Sequence, residues 1–269
     1  MKIKKITVAL LACVLVLSSC EKDQSEQDAN NIAASQAQLH KLAEDFQTTQ
    51  KNNLTARWPK WIRVIIADAV GAMAGAGLGG PVGAVIAGTA TSVGAACDVV
   101  STGKTAFTPT PNPANPFDSQ GILHYQTLAA AYVSPSNYTN GSTAFNATVF
   151  NNFQLGFIKG HSTYSQAQLD AGLANSQQPY ALSLLPSLTD DNYKTIDQTM
   201  YTNGKITLVV KQTMDDYFYS LDVSRSLADF VAYSKTAEAT VNSSSFTQHD
   251  KDVILLAMAT TRHGAAYWQ

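Results

Sequence analysis

Ala67-Asp68-Ala69-Val70-Gly71-Ala72-Met73-Ala74-Gly75-Ala76-Gly77-Leu78-Gly79-Gly80-Pro81-Val82-Gly83-Ala84 is the stretch on which the fold turns. It belongs to a run, Ala69 to Ala96, that carries no charged residue and is dominated by Gly, Ala, Ser and Thr. Eight of the 16 glycines of the chain fall between Gly71 and Gly94. In an exposed helix each glycine costs about 1 kcal/mol against alanine, so a helix of this composition has to recover free energy by close packing. Ala67, Gly71, Gly75 and Gly79 stand four apart, as do Ala84, Gly88, Ser92 and Ala96. Ladders of small residues let two helix backbones approach and gain dispersion contacts. Gly79-Gly80-Pro81 interrupts the run at its middle, and the pattern predicts a helical hairpin with arms over 62–78 and 82–100.

Each arm would be roughly 25–28 Å long, against a hydrocarbon core of about 30 Å. Trp58 and Trp61, beside Arg57, Lys60 and Arg63, have the aromatic and basic character of a membrane interface. The expectation is that Gly71, Gly75, Gly79, Gly83 and Gly88, with Trp58 and Trp61, serve membrane insertion or self-association into a homo-oligomer. Leu78 is the only leucine of the run, so a permanent transmembrane span is not expected. The alternative is a hairpin buried as the core of a folded domain.

Upstream, Lys2, Lys4 and Lys5 precede an apolar stretch, Ile6 to Leu17, that ends in Leu17-Ser18-Ser19-Cys20. The stretch is too short to span a bilayer and reads as an export signal over residues 1–19. The terminal Leu-Ser-Ser-Cys resembles the lipobox of bacterial lipoproteins. That resemblance implies a diacylglycerol on the Cys20 thiol, a mature chain starting at Cys20, membrane lipid as partner, and no cofactor beyond the covalent lipid. Glu21-Lys22-Asp23-Gln24-Ser25-Glu26-Gln27-Asp28 is acidic and free of apolar residues, and residues 20–30 are expected to be a disordered tether. The tether resembles the acidic surface-export signal of Bacteroidota-type lipoproteins, which implies outer-membrane attachment with display on the cell surface. Attachment facing the periplasm is the alternative.

Composition narrows the partners. The chain is 45% hydrophobic and 14% charged, against a usual charged fraction near 25%. Loss of the three signal lysines leaves 15 basic against 20 acidic side chains, a formal −5. A negative surface disfavours nucleic acid. Of the three cysteines, Cys13 leaves with the signal, Cys20 carries lipid, and Cys97 stands alone. No intramolecular disulfide is then available, and packing must hold the fold.

The fold class expected is mainly α, a Gly/Ala-rich helical hairpin followed by a multi-helix C-terminal domain. Residues 31–106 comprise an amphipathic helix, with Ile32, Leu39, Leu42 and Phe46 at helical spacing, and the hairpin. Residues 107–117, with Pro109, Pro111, Pro113 and Pro116, form the linker to a helical domain over 118–269. Within it, helices are expected from Asp118 or Ser119 to about Val133, from Ala144 to Ile158 with a stop at Gly160, and from Asp190-Asp191 to Asn203-Gly204. Further helices start near Ile206, around Leu227, and at a capping box Thr247-x-x-Asp250, the last stopping near Gly264. The regular strand–helix alternation of a parallel sheet is missing.

Several motifs imitate catalysis. Gly75-Ala76-Gly77-Leu78-Gly79-Gly80 fits the dinucleotide fingerprint, but no strand propensity precedes it. Gly103-Lys104-Thr105 resembles the end of a P-loop, yet Asp98 occupies the upstream glycine position. His40, His124, His161, His249 and His263 show no metal-ligand spacing. His40 and Glu44 read as a solvated pair, His124 as a hydrogen-bonded core histidine, and Cys97 as a buried thiol. No G-x-S-x-G elbow is present, and the chain is expected not to be an enzyme.

Ile66 to Gly77 is similar to the Ala-Asp-x-x-Gly-Ala repeats of glycine-zipper, bacteriocin-like polypeptides, some of them lipoproteins of the same bacteria. Phe117 to Tyr125 and Ala265-Ala266-Tyr267-Trp268 resemble uncharacterised members of that lipoprotein group. Together these resemblances cover about a third of the chain. They imply a contact-acting, bacteriocin-like factor; a non-enzymatic binding or scaffold lipoprotein is the alternative.

Overall fold

A computed structural model describes residues 3–51, with side chains from Gln27 onward, and 61–97, 111–141, 144–189 and 192–268. Among these residues there are ten α-helices and no β-strand, the mainly α architecture expected from the sequence. The side chain of Cys20 lies outside the described set, as do Arg57, Trp58, Lys60, Asp98, residues 103–105 and Asp190-Asp191.

Helix α1 spans Ile3–Lys51. It runs through the segment expected to be a disordered tether, and neither Gly nor Pro occurs along it to break it. Its inner face carries Leu39, Ala43, Gln47 and Gln50.

Helix α2 (Ile62–Ala96) is two arms joined at Gly80, whose φ of 58° and ψ of −154° suit only glycine. Pro81 follows, pre-set for the start of the second arm. The expected hairpin is therefore present, and its seam is backbone against backbone. A Cβ on Gly75 would run into the Gly83 carbonyl, and one on Gly83 would lie 2.6 Å from Gly75 O. Gly71 likewise abuts the Ala87 carbonyl. The Thr91 hydroxyl sits 2.7 Å from Ala67 O on the facing arm and 2.8 Å from Ala87 O on its own.

The second ladder differs from the one expected. Gly83, Ala87 and Thr91 line the seam, whereas Ser92 faces the C-terminal helix and accepts a hydrogen bond of 3.1 Å from the Trp268 indole N–H. Gly88 lies between the two, 3.1 Å from Asp68 O and 3.3 Å from Thr260 Cγ2, measured from the position a Cβ would take. Thr91 can line the seam because its hydroxyl bonds to carbonyls there, so the ladder continues through a residue larger than Ser.

The remaining helices are α3 (Asp118–Ala131), α4 (Ala147–His161), α5 (Gln166–Asn175), α6 (Gln178–Leu184), α7 (Tyr193–Thr202), α8 (Leu208–Val223), α9 (Leu227–Ser243) and α10 (Gln248–Trp268). Side chains of Asn146, Ser165, Thr207 and Ser226 cap α4, α5, α8 and α9. Thr247 and Asp250 cap α10, with Asp250 N donating to Thr247 Oγ1 at 3.1 Å. Two helices pass the glycines expected to stop them. Gly160 lies inside α4, with open space around it, and Gly264 lies inside α10, where a Cβ would collide with the Asp68 carboxylate. Gly264 thus serves packing rather than termination.

The hairpin is the central layer, wrapped by α3, α5, α6 and α10. Ile65, Ile66, Met73 and Ile86 are fully buried. Residues before and after the proline-rich segment contribute to one hydrophobic core. Helix α1 lies along α8 with both running the same way: Gln36 meets Thr213, Gln47 Nε2 donates to Ser220 Oγ at 3.1 Å, and the Gln50 carbonyl accepts from Arg225 N at 3.1 Å.

Candidate functional site

The densest polar constellation is buried where α3, α9 and α10 meet beside the hairpin. It begins with residues whose helical register forces them inward. Phe230, Ser234, Ala237, Glu238 and Val241 form one stripe of α9, so Glu238 enters the core with its apolar neighbours and is fully buried. Arg262 of α10, 2% exposed, meets it there. Its Nε donates to Glu238 Oε1 at 2.8 Å and its Nη2 donates to Asp118.

The proline-rich segment adds the rest. Asn112 Nδ2 and Asn115 Nδ2 donate to Glu238 Oε2 at 2.7 and 3.0 Å, and Asn112 N donates to Asp118 Oδ2 at 3.0 Å. Asn115 also reaches Leu255 O at 2.9 Å. Ser234 Oγ donates to Glu238 Oε1 at 2.8 Å and stands 2.6 Å from the Tyr217 hydroxyl. His263 Nε2 lies 3.0 Å from Asp118 Oδ1. The same nitrogen lies 3.2 Å from Arg262 Nη1.

Burial by itself would raise the Asp118 carboxyl. Hydrogen bonds from His263 and Arg262, with the guanidinium charge, outweigh burial and hold the pKa down to about 2. Burial lowers His263, and the neighbouring Arg262 charge adds to that, so the ring is neutral at pH 7. The Arg262 guanidinium is raised despite its burial, by Glu238 first and Asp118 second.

A second buried pair lies nearby. His124 Nε2 is 3.5 Å from Asp68 Oδ2, and both residues are fully inaccessible. The core position expected for His124 is observed, but neither of its ring nitrogens makes a hydrogen bond. On the far side, Asp197 of α7 is fully buried beside Asp215. Burial first and the charge of Asp215 second push its carboxyl well above the usual carboxylate range.

The residues marked out in sequence take these places. Gly71, Gly75 and Gly83 form the seam, Gly88 faces both Asp68 and Thr260, and Gly79 lies against Gly172 O and Ser176 of the α5–α6 junction. All of these contacts are within the chain. Trp61, expected at a membrane interface, is partly buried with its ring 6.3 Å from that of Trp268, in a cluster with Tyr132 and Tyr267. His40 is more than half of a surface pair: its Nδ1 lies 2.8 Å from Asp216 Oδ2, and its pKa is raised by that bond and charge. Cys97 is partly buried and free of disulfide. The Gly75–Gly80 fingerprint lies at the hairpin turn and follows a helix instead of a strand.

Asn112, Asn115, Glu238 and Arg262 carry no motif and escape sequence reading. A signal existed for Glu238 alone, a carboxylate in the apolar stripe of its helix. Among the described residues, no three His, Cys, Asp or Glu side chains come together as a metal site. Surface hollows among the described residues include one of about 490 Å³ between α1 and α8, bordered by Ile32, His40, Leu208 and Val209, and one of about 380 Å³ along α7, bordered by Lys194 and Gln198. No protein-family model, curated protein or solved structure matches the chain.

Proposed function

We propose that the protein is a lipid-anchored protein of the cell envelope, held through Cys20 at the outer membrane, whose folded body acts in binding or as a scaffold without catalysis. One observation carries the choice of binding body over membrane insert: the small faces of the hairpin are already occupied by its own arms and by α10. Gly75 and Gly83 touch each other, and Gly88 touches Thr260. A face used in this way is not available to a second copy or to lipid unless α3, α5, α6 and α10 separate from it. The acid–base groups that come together are locked to one another inside the core, which favours a structural role for them.

A second reading keeps some support. Helix α2 is long and apolar enough to cross a membrane, although most of its apolar stretch is buried within the fold, and Leu78 at the hairpin tip is exposed. On that reading the protein opens at a target membrane as a bacteriocin-like contact toxin. Dye release from phosphatidylethanolamine/phosphatidylglycerol vesicles by the purified full chain distinguishes the two. The binding-body reading expects intact vesicles and a monomer on size-exclusion chromatography. Leakage that Gly75→Leu abolishes, without loss of helical signal, would transfer the assignment to the insertion reading. Mass analysis of the N-terminal peptide from cell membranes tests the lipid on Cys20, and labelling of intact cells tests surface display.

A further inference from the structure

Four large apolar side chains are exposed among the described residues: Leu78, Tyr201, Leu208 and Val133. Exposed apolar residues scattered singly are ordinary, but the first three belong to one end of the molecule. Leu78 is at the hairpin tip, and a Cβ on the adjoining Gly77 would lie 4.0 Å from Lys205 O. Tyr201 closes α7, and its carbonyl accepts from Gly204 N in the same loop as Lys205. Leu208 opens α8 three residues beyond Lys205 and borders the hollow it shares with Ile32. The Lys205 ammonium sits 5.1 Å above the Tyr180 ring, whose hydroxyl accepts from Asn203 Nδ2 at 3.2 Å.

The fold therefore brings leucine, tyrosine and lysine to one end of the molecule, the mixture favoured where protein meets the lipid headgroup region. Val133 lies at the other end. It follows Tyr132, whose ring packs on Trp268, and Trp268 packs in turn on Trp61 at the start of the hairpin. One arm of the hairpin, about 26 Å by helical rise, separates the two ends.

The course of α1 gives this end a direction. Because α1 runs parallel to α8, its residues Ile32 and Ala33 lie at the Leu208 end, and Cys20 precedes them on the same helix. The chain thus leaves the body for its N-terminus on the side where the hairpin tip is exposed. We propose that this end face, formed by Leu78, Tyr201, Lys205 and Leu208, rests on the lipid bilayer surface, so that the body stands on the membrane with the hairpin tip toward lipid and Val133 away from it. The direction of approach rests on the lipid-anchor reading. The hairpin remains packed, and only its tip meets the headgroups.

The test uses the full chain with Cys13→Ala, Cys20→Ala and Cys97→Ala, tethered by an N-terminal histidine tag to phosphatidylethanolamine/phosphatidylglycerol vesicles containing nickel-chelating lipid. A bimane probe is placed on Asn203→Cys or on Val133→Cys, and quenching by spin-labelled lipid is read. Quenching at Asn203 should exceed that at Val133 by about threefold, and Leu78→Asp with Leu208→Asp should bring it down to the Val133 value while the helical signal is unchanged. Equal quenching at the two positions would overturn the proposal. So would a difference that the two aspartates leave untouched, since it would reflect tethering alone. The histidine tether makes this result independent of acylation: an unmodified Cys20 in the native protein would remove the anchor reading and leave the end face tested by itself.

Discussion

Asp197 places a carboxyl in a fully buried site against the Asp215 carboxylate. Its folded pKa is raised, so the folded state holds a proton that the unfolded chain releases above about pH 4. The protonated carboxyl is fully tolerated below that pH, and stability is lost as pH rises from there toward the raised value. Asp197→Asn, which cannot ionise, should raise stability at pH 7 by about 1–3 kcal/mol and leave it nearly unchanged at pH 3.5, in denaturant melts at the two pH values. Glu238 differs in having donors on both oxygens: Arg262 and Ser234 on one, Asn112 and Asn115 on the other. Glu238→Gln removes one of the two carboxylates that pair with buried Arg262 and should cost about 3 kcal/mol at pH 7 by the same measurement. Beyond the place of Glu238 in the apolar stripe of its helix, nothing local distinguishes these acids in the sequence, because the donors Asn112 and Asn115 stand 126 and 123 residues from Glu238. The glycines were different. Their spacing is itself the physical reason for a close helix pair, so Gly71 and Gly75 could be read directly, whereas Gly83 stands outside the spacing expected of the second arm.

The hairpin depends on two kinds of glycine. Gly80 supplies a backbone conformation, whereas Gly75 and Gly83 supply the absence of a side chain. Gly75→Ala should force the arms apart at the Gly83 carbonyl and cost about 2–3 kcal/mol, lowering the melting temperature by several degrees. Gly77→Ala is the contrasting change. Its Cβ would meet only Lys205 O, at 4.0 Å, and the gain in helix propensity of about 1 kcal/mol should leave the protein equally or more stable. Thermal melts of the two variants check both outcomes. The existence of two arms and their turn followed from Gly79-Gly80-Pro81, but the face of the second arm did not. A ladder of Gly83, Ala87 and Thr91 and one of Ala84, Gly88 and Ser92 are both small, and the presence of α10 decides which faces which helix. The same contact explains why α10 continues through Gly264: Asp68 fills the space a side chain would need.

The hairpin and the helices that follow the prolines share one core, and Asn112 and Asn115 tie the proline-rich segment to α9 and α10. Calorimetry should therefore record one thermal transition for the whole helical body, where two separated transitions would show a hairpin that folds apart from the rest. Local chemistry was enough to mark most helices, the Thr247–Asp250 cap and the need of the glycine run for close packing, because propensity, capping and spacing act within a few residues, but it did not mark α5, α6 or the course of α1 through residues 20–30. Two chemically equivalent uses of the hairpin, facing lipid or facing its own domain, bury the same apolar surface and leave the same pattern in the chain. Only the tertiary structure shows which partners occupy the small faces. Here they are the hairpin's own arms and α10, leaving Leu78 exposed at the tip.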